Sequence, residues 1–257
     1  MSVNSIDVPP YAGPLPSVRE VAAMIDHSLL RPELTREEVL AGLATARAYG
    51  AATVCVRPAD VGLAVAELRG SGVAVGTVVG FPHGGATTAT KVGETAELVA
   101  AGAAEIDMVI DIGRLRDGDA GHVEEQIAAV VAAAGGRPVK VILENWYLSD
   151  EQKVAGCAAS ERAGAAYVKT STGFAGGGAT AADVALMRHS VSPAVGVKAA
   201  GGVRTLDALL TLRELGATRF GATTTAAMLD DLAMRLASRR EWAHRSGMEK
   251  RPPAGRR

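Results

Sequence analysis

Charged side chains lie inside several apolar runs of this sequence, where an unpaired charge is costly. Lys140, Lys169 and Lys198 each fall within such a run, Asp107 lies within EIDMVI, and Glu144 ends a run. A buried ammonium needs a carboxylate partner, contact with solvent, or loss of its proton. A side chain that extends its ammonium to solvent, or a structural ion pair, explains any single lysine. Lys169 and Lys198 together point to chemistry, because both lie near the end of a run and lead directly into a glycine-bearing loop.

Two neighbouring lysines favour one kind of reaction. A partly desolvated ammonium beside a second cation has a lowered pKa, and a neutral amine then becomes available to attack a carbonyl. Lys169 and Lys198 therefore indicate Schiff-base chemistry. Asp107 is the candidate carboxylate for moving protons to and from the carbinolamine and the enamine, directly or through a water. Such a reaction requires neither a nucleotide nor a metal ion, so no cofactor is expected.

Glycine-rich segments form a candidate phosphate site. Three of them follow apolar runs: STGFAGGG at 171–178, AAGGVRT at 199–205 and FGATTT at 220–225. Loops of this kind hold phosphate through bare backbone amides and the amino end of a short helix. The hydroxyls of Thr223 and Thr224 would add donors. A phosphorylated substrate is therefore expected, and the alternative is that these glycines only form turns.

The chemistry-bearing residues are distributed over a regular alternation of short apolar runs and longer amphipathic stretches. Eight runs predict strands, at 24–30, 53–56, 73–79, 105–110, 139–143, 166–170, 194–198 and 218–222. Continuous apolar runs are typical of parallel strands covered on both faces. Three of the intervening stretches begin with capping-box pairs, Thr35/Glu38, Ser149/Gln152 and Thr180/Asp183. The pattern predicts an α/β fold, a single (β/α)8 TIM barrel, and an open doubly wound sheet is the alternative because the first strand is weakly marked.

The two ends of the chain depart from this alternation. Residues 1–16 contain four prolines, which block both helix and sheet, and they predict a loose, flexible arm. Residues 245–257 carry five basic residues and almost no aliphatic side chain, and they predict a disordered basic tail. The barrel domain is expected over residues 17–244.

The composition excludes several classes of protein. In 257 residues, 27 Lys and Arg face 28 Asp and Glu, and this balance argues against a nucleic-acid or membrane partner. Two cysteines, with no CxxC or HExxH motif, predict neither a disulfide framework nor a metal site. No segment resembles a signal peptide or reaches membrane-spanning length, so a cytoplasmic location is expected.

Seven segments resemble motifs of the deoxyribose-phosphate aldolases. They are IDHSLL (25–30), VGFPHG (79–84), EIDMVIDIG (105–113), KVILE (140–144), VKTSTGF (168–174), GVKAAGGVRT (196–205) and RFGAT (219–223). The resemblance runs from about residue 20 to about residue 235. It implies a class I aldolase with a (β/α)8 barrel that interconverts 2-deoxy-D-ribose 5-phosphate with D-glyceraldehyde 3-phosphate and acetaldehyde.

The resemblance also implies roles for individual residues. Lys169 would be the Schiff-base lysine, Lys198 the second lysine and Asp107 the proton-relay acid. The phosphate site would be formed by Gly173, Gly201, Gly202, Thr223 and Thr224, and the supporting polar network by Lys140 and Asp26. The expected partners are a small phosphorylated sugar and acetaldehyde, and assembly into a homo-oligomer is left open.

The sequence departs from the usual family pattern at four positions. The family more often has Asn at position 111, Thr at 145 and Ser at 223 and 224, where this chain has Asp111, Asn145, Thr223 and Thr224. The extra methyl groups of the threonines crowd an anion pocket, although their hydroxyls remain. A carboxylate at Asp111 would repel a phosphorylated substrate if it faced the site, and it is expected to pair with Arg114 or Arg116 instead.

Two alternatives remain open. The residues alone do not separate the implied activity from that of another class I aldolase of the same barrel type acting on a different phosphosugar. A non-catalytic barrel that binds a sugar phosphate belongs to a different functional class. Lys169, Lys198 and Asp107 argue against that second alternative, because a binding module has no use for a lysine with a lowered pKa.

Overall fold

The structure, a computed structural model, describes residues 5–245 and contains a closed barrel of eight parallel strands in chain order. The strands are β1 (Ile25–Leu29), β2 (Thr53–Val56), β3 (Ala74–Val79), β4 (Glu105–Val109), β5 (Val139–Ile142), β6 (Tyr167–Lys169), β7 (Gly196–Ala200) and β8 (Arg219–Ala222). Ile25 lies opposite Phe220, and this pairing of β1 with β8 closes the barrel. The predicted (β/α)8 barrel is confirmed, and the open sheet is wrong.

Ten α-helices surround the barrel within residues 5–245. They are α1 (Val18–Ala22), α2 (Arg36–Tyr49), α3 (Val61–Glu67), α4 (Thr88–Ala100), α5 (Ile112–Arg116), α6 (Ala120–Ala133), α7 (Asp150–Arg162), α8 (Ala181–His189), α9 (Leu206–Glu214) and α10 (Thr225–Arg245). None of these described helices has the length and apolar character needed to cross a membrane. The predicted tail, 245–257, lies outside the described residues except for Arg245, which ends α10.

The strands separate an apolar shell from a charged interior. Successive side chains of a strand point to opposite faces, so the neighbour of an inward residue points outward. Met108, Val168 and Val197 are fully buried and belong to the hydrophobic core that the helices cover. The residues that follow the two valines are Lys169 and Lys198, which therefore point into the barrel. The alternation along each strand thus directs the charged side chains of the apolar runs into the barrel.

Helix starts follow the predicted capping pattern with one exception. The predicted capping boxes at α2 and α7 both form. At α8, the side chain of Thr180 accepts a hydrogen bond from the backbone N–H of Asp183, but the Asp183 carboxylate pairs with Lys153 at 2.7 Å. The side chain of aspartate is one methylene shorter than that of glutamate, which reduces its reach back to the cap residue. The predicted capping box at Thr180 and Asp183 therefore forms only in its first half.

Residues 5–16 contain no helix or strand and lie against the barrel. The backbone N–H of Tyr11 donates to Asp207 Oδ1 at 2.7 Å, and Tyr11 and Leu15 pack against the hydrophobic core. The flexibility of this arm in solution and the domain boundary at residue 17 stay predictions.

The chain leaving β3 passes close to the chain leaving β4 at Gly84. The φ of Gly84 is +72°, and a Cβ there would lie 1.9 Å from the carbonyl oxygen of Ile110. We expect Gly84→Ala to lower the free energy of unfolding by about 2 kcal/mol or more, because a left-handed backbone and a close contact both penalise the new side chain. Gly85→Ala is the matched control, since its Cβ would meet nothing within 4 Å. Urea unfolding compares the two variants, and equal midpoints would contradict this close approach.

Candidate active site

Three lysines from three consecutive strands meet one carboxylate inside the barrel. The Nζ atoms of Lys140 on β5, Lys169 on β6 and Lys198 on β7 lie 2.9, 2.7 and 2.6 Å from Asp107. Lys169 and Lys198 contact the same oxygen, Oδ2, whereas Lys140 contacts Oδ1. All four side chains are at most 3% exposed. The structure thus brings together the residues to which the sequence analysis assigned catalysis.

A second set of charges extends the cluster toward the amino ends of the strands. Lys198 Nζ lies 2.5 Å from Asp26 Oδ2, and Lys140 Nζ lies 2.5 Å from Glu105 Oε2 and 3.3 Å from Asp26 Oδ2. Arg219 contacts Asp26 at 2.7 Å and Glu105 at 3.3 Å. The sequence analysis placed Lys140 and Asp26 in a supporting network but missed Glu105 and Arg219. The sequence feature that could have indicated them is a charged residue at the first position of β4 and of β8.

The balance of charge within this cluster distinguishes Lys169 from the other cations. Arg219, Lys140 and Lys198 each contact at least two of the three carboxylates. Among residues 5–245, Lys169 pairs with one carboxylate, that of Asp107, and it shares this carboxylate with Lys140 and Lys198. When Lys169 is a neutral amine, three cations face three carboxylates. Lys169 is therefore the lysine whose proton costs least to remove.

The pKa shifts follow the same division. Burial lowers the pKa of Lys169, and the charge of Lys198 lowers it further against the opposing effect of Asp107. Burial also acts to lower the pKa of Lys198, but the carboxylates of Asp107 and Asp26 outweigh burial and raise that pKa above its usual value. Burial alone would raise the pKa of Asp107, yet Lys140, Lys169 and Lys198 hold it well below its usual range. The site thus places a lysine that loses its proton readily beside one that keeps it.

A cavity of about 920 Å³ reaches Lys169 from the carboxyl ends of the strands. Four of the residues predicted to bind phosphate line it, namely Gly173, Gly201, Gly202 and Thr223. Thr224 is not among the described residues that line the cavity, and its hydroxyl donates to the carbonyl of Arg204 at 2.9 Å. Arg31 and Arg204 line the cavity as well, and arginine is a strong partner for phosphate oxygens. The sequence analysis did not select either arginine, although Arg204 lies within the quoted segment GVKAAGGVRT.

Glu144 supports the loop that follows β6. Its φ is +57°, and it is the one non-glycine residue between 5 and 245 with a left-handed backbone. Its Oε2 accepts hydrogen bonds from the hydroxyl and the backbone N–H of Thr172, and Thr172 Oγ1 accepts one from the N–H of Phe174 at 3.0 Å. Burial raises the pKa of Glu144 more than these hydrogen bonds and the nearby Lys169 lower it. Strain of this kind concentrates at functional sites, and here it fixes a wall of the cavity.

The departures from the family pattern at Asp111 and Asn145 do not face the cavity. Asp111 Oδ1 accepts a hydrogen bond from the backbone N–H of Arg114 at 3.1 Å and caps α5, whereas the Arg114 guanidinium pairs with Asp119 at 3.5 Å. The expected ion pair of Asp111 with Arg114 or Arg116 is wrong, because the third amide of a helix lies nearest to its cap. Asn145 Nδ2 lies 3.2 Å from the sulfur of Met187.

The cysteines and His27 show no feature that indicates a catalytic role. Cys55 and Cys157 are free and buried, and burial raises the pKa of these thiols to about 11 and about 12. His27 lines the cavity with Nδ1 2.8 Å from Thr225 Oγ1, and burial lowers its pKa to about 4, so it is neutral near pH 7. Across residues 5–245, no three His, Cys, Asp or Glu side chains are arranged to hold a metal ion.

Comparison with known proteins agrees with the resemblance in the motifs. The family model described as DeoC/LacD family aldolase matches residues 21–229. A deoxyribose-phosphate aldolase of Bacillus cytotoxicus is 51% identical over 210 residues, covering 81% of this chain and 94% of the relative. One of Rhodospirillum rubrum is 54% identical over 210 residues, covering 82% and 88%. The tetrameric structure of deoxyribose phosphate aldolase from Aeropyrum pernix has a TM-score of 0.79 at 30% identity and covers 84% of this chain and 92% of its own. The chain therefore belongs to the DeoC/LacD family of aldolases.

Proposed function

We propose that this enzyme is a class I aldolase that reversibly cleaves 2-deoxy-D-ribose 5-phosphate to D-glyceraldehyde 3-phosphate and acetaldehyde, in the catabolism of deoxyribose phosphate. The observation that carries the proposal is the amine of Lys169, which reaches the cavity with a lowered pKa and lies beside Lys198 and Asp107. The substrate is supported by the relatives of Bacillus and Rhodospirillum, which are named for it.

The reaction begins at the aldehyde carbon of the open-chain sugar. The neutral amine of Lys169 adds to this carbonyl, and a proton moves from nitrogen to oxygen to give a carbinolamine. Loss of the hydroxyl as water leaves an iminium ion. Asp107 contacts both lysines, so it can accept a proton from Lys169 and pass it to the carbinolamine hydroxyl that leaves as water, without a large movement. The iminium is a stronger electron acceptor than the original carbonyl, and this prepares the substrate for cleavage.

Cleavage then breaks the bond between C2 and C3. The C3 hydroxyl loses its proton to the Asp107 and water relay, and C3 becomes the aldehyde carbon of D-glyceraldehyde 3-phosphate. The electron pair of the broken bond moves into the iminium and forms an enamine on Lys169. Protonation at C2 and addition of water release acetaldehyde and restore the amine. Lys198, with its raised pKa, stays a cation and stabilises Asp107 each time that carboxylate is ionised.

The cavity loops suit the phosphate end of this substrate. Gly173, Gly201 and Gly202 leave backbone amides uncovered, Thr223 adds a hydroxyl, and Arg204 adds a positive charge at the same wall. A phosphate held there would orient the sugar with its aldehyde toward Lys169. The binding energy of the phosphate would then hold the aldehyde carbon close to the amine.

Borohydride reduction in the presence of acetaldehyde tests the proposal. We expect a two-carbon adduct on Lys169 after peptide mapping, because reduction traps an imine only where an amine meets the aldehyde. Lys91 is an internal comparison, since burial lowers its pKa to about 8 but it donates to the Val109 carbonyl and to Gln126, both at 2.7 Å, and does not line the cavity. An adduct on Lys198 or Lys140 alone would overturn the assignment of Lys169. Equal labelling of Lys91 would show that a lowered pKa, and not the cavity, decides reactivity.

The proposal also includes the location of the enzyme and its oligomeric state. Two free, buried cysteines support a reducing, cytoplasmic location. Assembly into a homo-oligomer is supported by the tetrameric relative from Aeropyrum. The partners are then a small phosphorylated sugar, acetaldehyde and further copies of the chain.

A further inference from the structure

The arm at residues 5–16 contacts the loop that follows β7. The backbone N–H of Ile6 donates to the carbonyl of Gly202 at 3.1 Å, and the Ile6 side chain packs against the hydrophobic core. Gly202 and Val203 line the cavity, whereas none of residues 5–16 does. The loop therefore lies between the arm and the cavity.

A second contact anchors the arm independently of Ile6. The backbone N–H of Tyr11 donates to Asp207 Oδ1 at 2.7 Å, and its hydroxyl donates to Glu214 Oε1 at 2.8 Å. Arg235 on α10 also holds Asp207, with contacts of 2.6 and 2.8 Å. Asp207 and Glu214 lie in the first and last turns of α9, so Tyr11 ties the arm to both ends of that helix. The contacts of Tyr11 with α9 thus hold the arm, and with it Ile6, without any help from the loop that follows β7.

The loop that Ile6 contacts contains two glycines, so its backbone can shift. Gly201 and Gly202 both have left-handed backbones, with φ of +82° and +84°. Glycine has no Cβ, so small changes of the dihedral angles at Gly201 and Gly202 meet little steric resistance. A full turn of the Gly202–Val203 peptide, by contrast, would give the β-branched Val203 a left-handed backbone, so the loop shifts without turning over. The carbonyl of Gly202 and the N–H of Val203 belong to one trans peptide and point in opposite directions. A hydrogen bond that holds the carbonyl toward the arm therefore directs the N–H of Val203 away from the arm, toward the cavity.

We propose that the N-terminal arm is a positioning element for phosphate binding, with the Ile6 N–H holding the Gly202–Val203 peptide in the place where the Val203 N–H faces a phosphate monoester. The inference rests on the proposed function, because it takes the phosphate to bind at the loop after β7. Without the Ile6 N–H, the glycine-bearing loop shifts, and the Val203 N–H is no longer held toward the anion. This shift weakens phosphate binding and leaves Lys169, Lys198 and Asp107 unchanged.

The comparison of Ile6→Pro with Ile6→Ala tests this inference, because proline lacks the N–H and alanine keeps it. Relative to Ile6→Ala, we expect Ile6→Pro to raise KM for 2-deoxyribose 5-phosphate about fivefold or more. The Ki of inorganic phosphate as a competitive inhibitor should rise by the same factor. For unphosphorylated 2-deoxyribose, kcat/KM should change less than twofold. A second pair, lacking residues 1–8 or residues 1–4, makes the same comparison and keeps Tyr11 if the proline variant folds poorly.

The outcomes separate this inference from the proposed function. Equal losses on the phosphorylated and unphosphorylated sugars would make the arm a purely structural element and overturn the inference, as would unchanged KM and Ki in both pairs. If borohydride traps acetaldehyde on Lys169 in the same preparations, the proposed function stands even when the inference fails. If no adduct forms on Lys169 in the unaltered protein, the proposed function itself fails.

Discussion

Lys169→Met is expected to lower kcat/KM for cleavage of 2-deoxyribose 5-phosphate by a factor of about 10⁵ or more, because methionine has no amine to form the imine. Methionine fills a similar volume, so the barrel should remain folded. Release of D-glyceraldehyde 3-phosphate measures the activity, and circular dichroism checks the fold. Activity above about one per cent of that of the unaltered enzyme would contradict the role of Lys169 as the nucleophile.

Chemical restoration of the amine provides a matched control for this variant. Lys169→Cys should be as inactive as Lys169→Met, and treatment with 2-bromoethylamine converts the new cysteine into a lysine analogue with sulfur in place of one methylene. We expect activity to return after this treatment in Lys169→Cys and not in Lys169→Met. The native thiols should not interfere, because burial raises the pKa of Cys55 to about 11 and that of Cys157 to about 12. Recovery in the methionine variant would show that the reagent acts elsewhere.

Lys198→Leu is expected to move imine formation to higher pH and to reduce activity near pH 7 steeply. Burial lowers the pKa of Lys169 first, and the charge of Lys198 lowers it further. Removing that charge raises the pKa of Lys169, so its ammonium persists to higher pH and less amine is present at neutrality. We therefore expect kcat/KM at pH 7 to fall by about tenfold or more.

The pH dependence of imine formation with acetaldehyde is the decisive measurement for Lys198, because it separates the pKa of Lys169 from later proton transfers. Lys198→Arg is the control, since it keeps the positive charge beside Asp107. We expect its midpoint to stay near that of the unaltered enzyme even if turnover falls. An unchanged midpoint in Lys198→Leu would assign the lowered pKa of Lys169 to burial alone.

The barrel and the meeting of Lys169 with Lys198 inside it could be predicted from the sequence, because both depend on local pattern. Strands covered on both faces are continuous apolar runs, and a charged residue within such a run must point inward or be paired. Lys169 and Lys198 also occupy equivalent positions on adjacent parallel strands, and the structure pairs them in register. Two charges at matching positions of neighbouring strands therefore had to meet.

The remaining parts of the site depend on contacts that local pattern does not encode. Arg219 reaches Asp26 across the β1–β8 closure, at a separation of 193 residues. Thr224 was expected to bind phosphate, but its hydroxyl donates to a carbonyl of a neighbouring loop. Glu144 has a left-handed backbone that its residue type does not suggest. The contact between Ile6 and Gly202 joins segments far apart in the chain, and prolines in the arm gave no indication of it.

The ion pairs across the β1–β8 closure bear on when the enzyme becomes active during its synthesis. Asp26 lies on the first strand, and its partners Lys198 and Arg219 lie on the last two. A nascent chain that has emerged only as far as β6 already contains Lys169, but it lacks the cation that lowers the pKa of that lysine and the partners that neutralise Asp26. Pairings between distant segments also form late in folding. A ribosome-bound chain that ends before β7 therefore lacks Lys198, and we expect the pKa of Lys169 to fall only after translation has delivered the final strands.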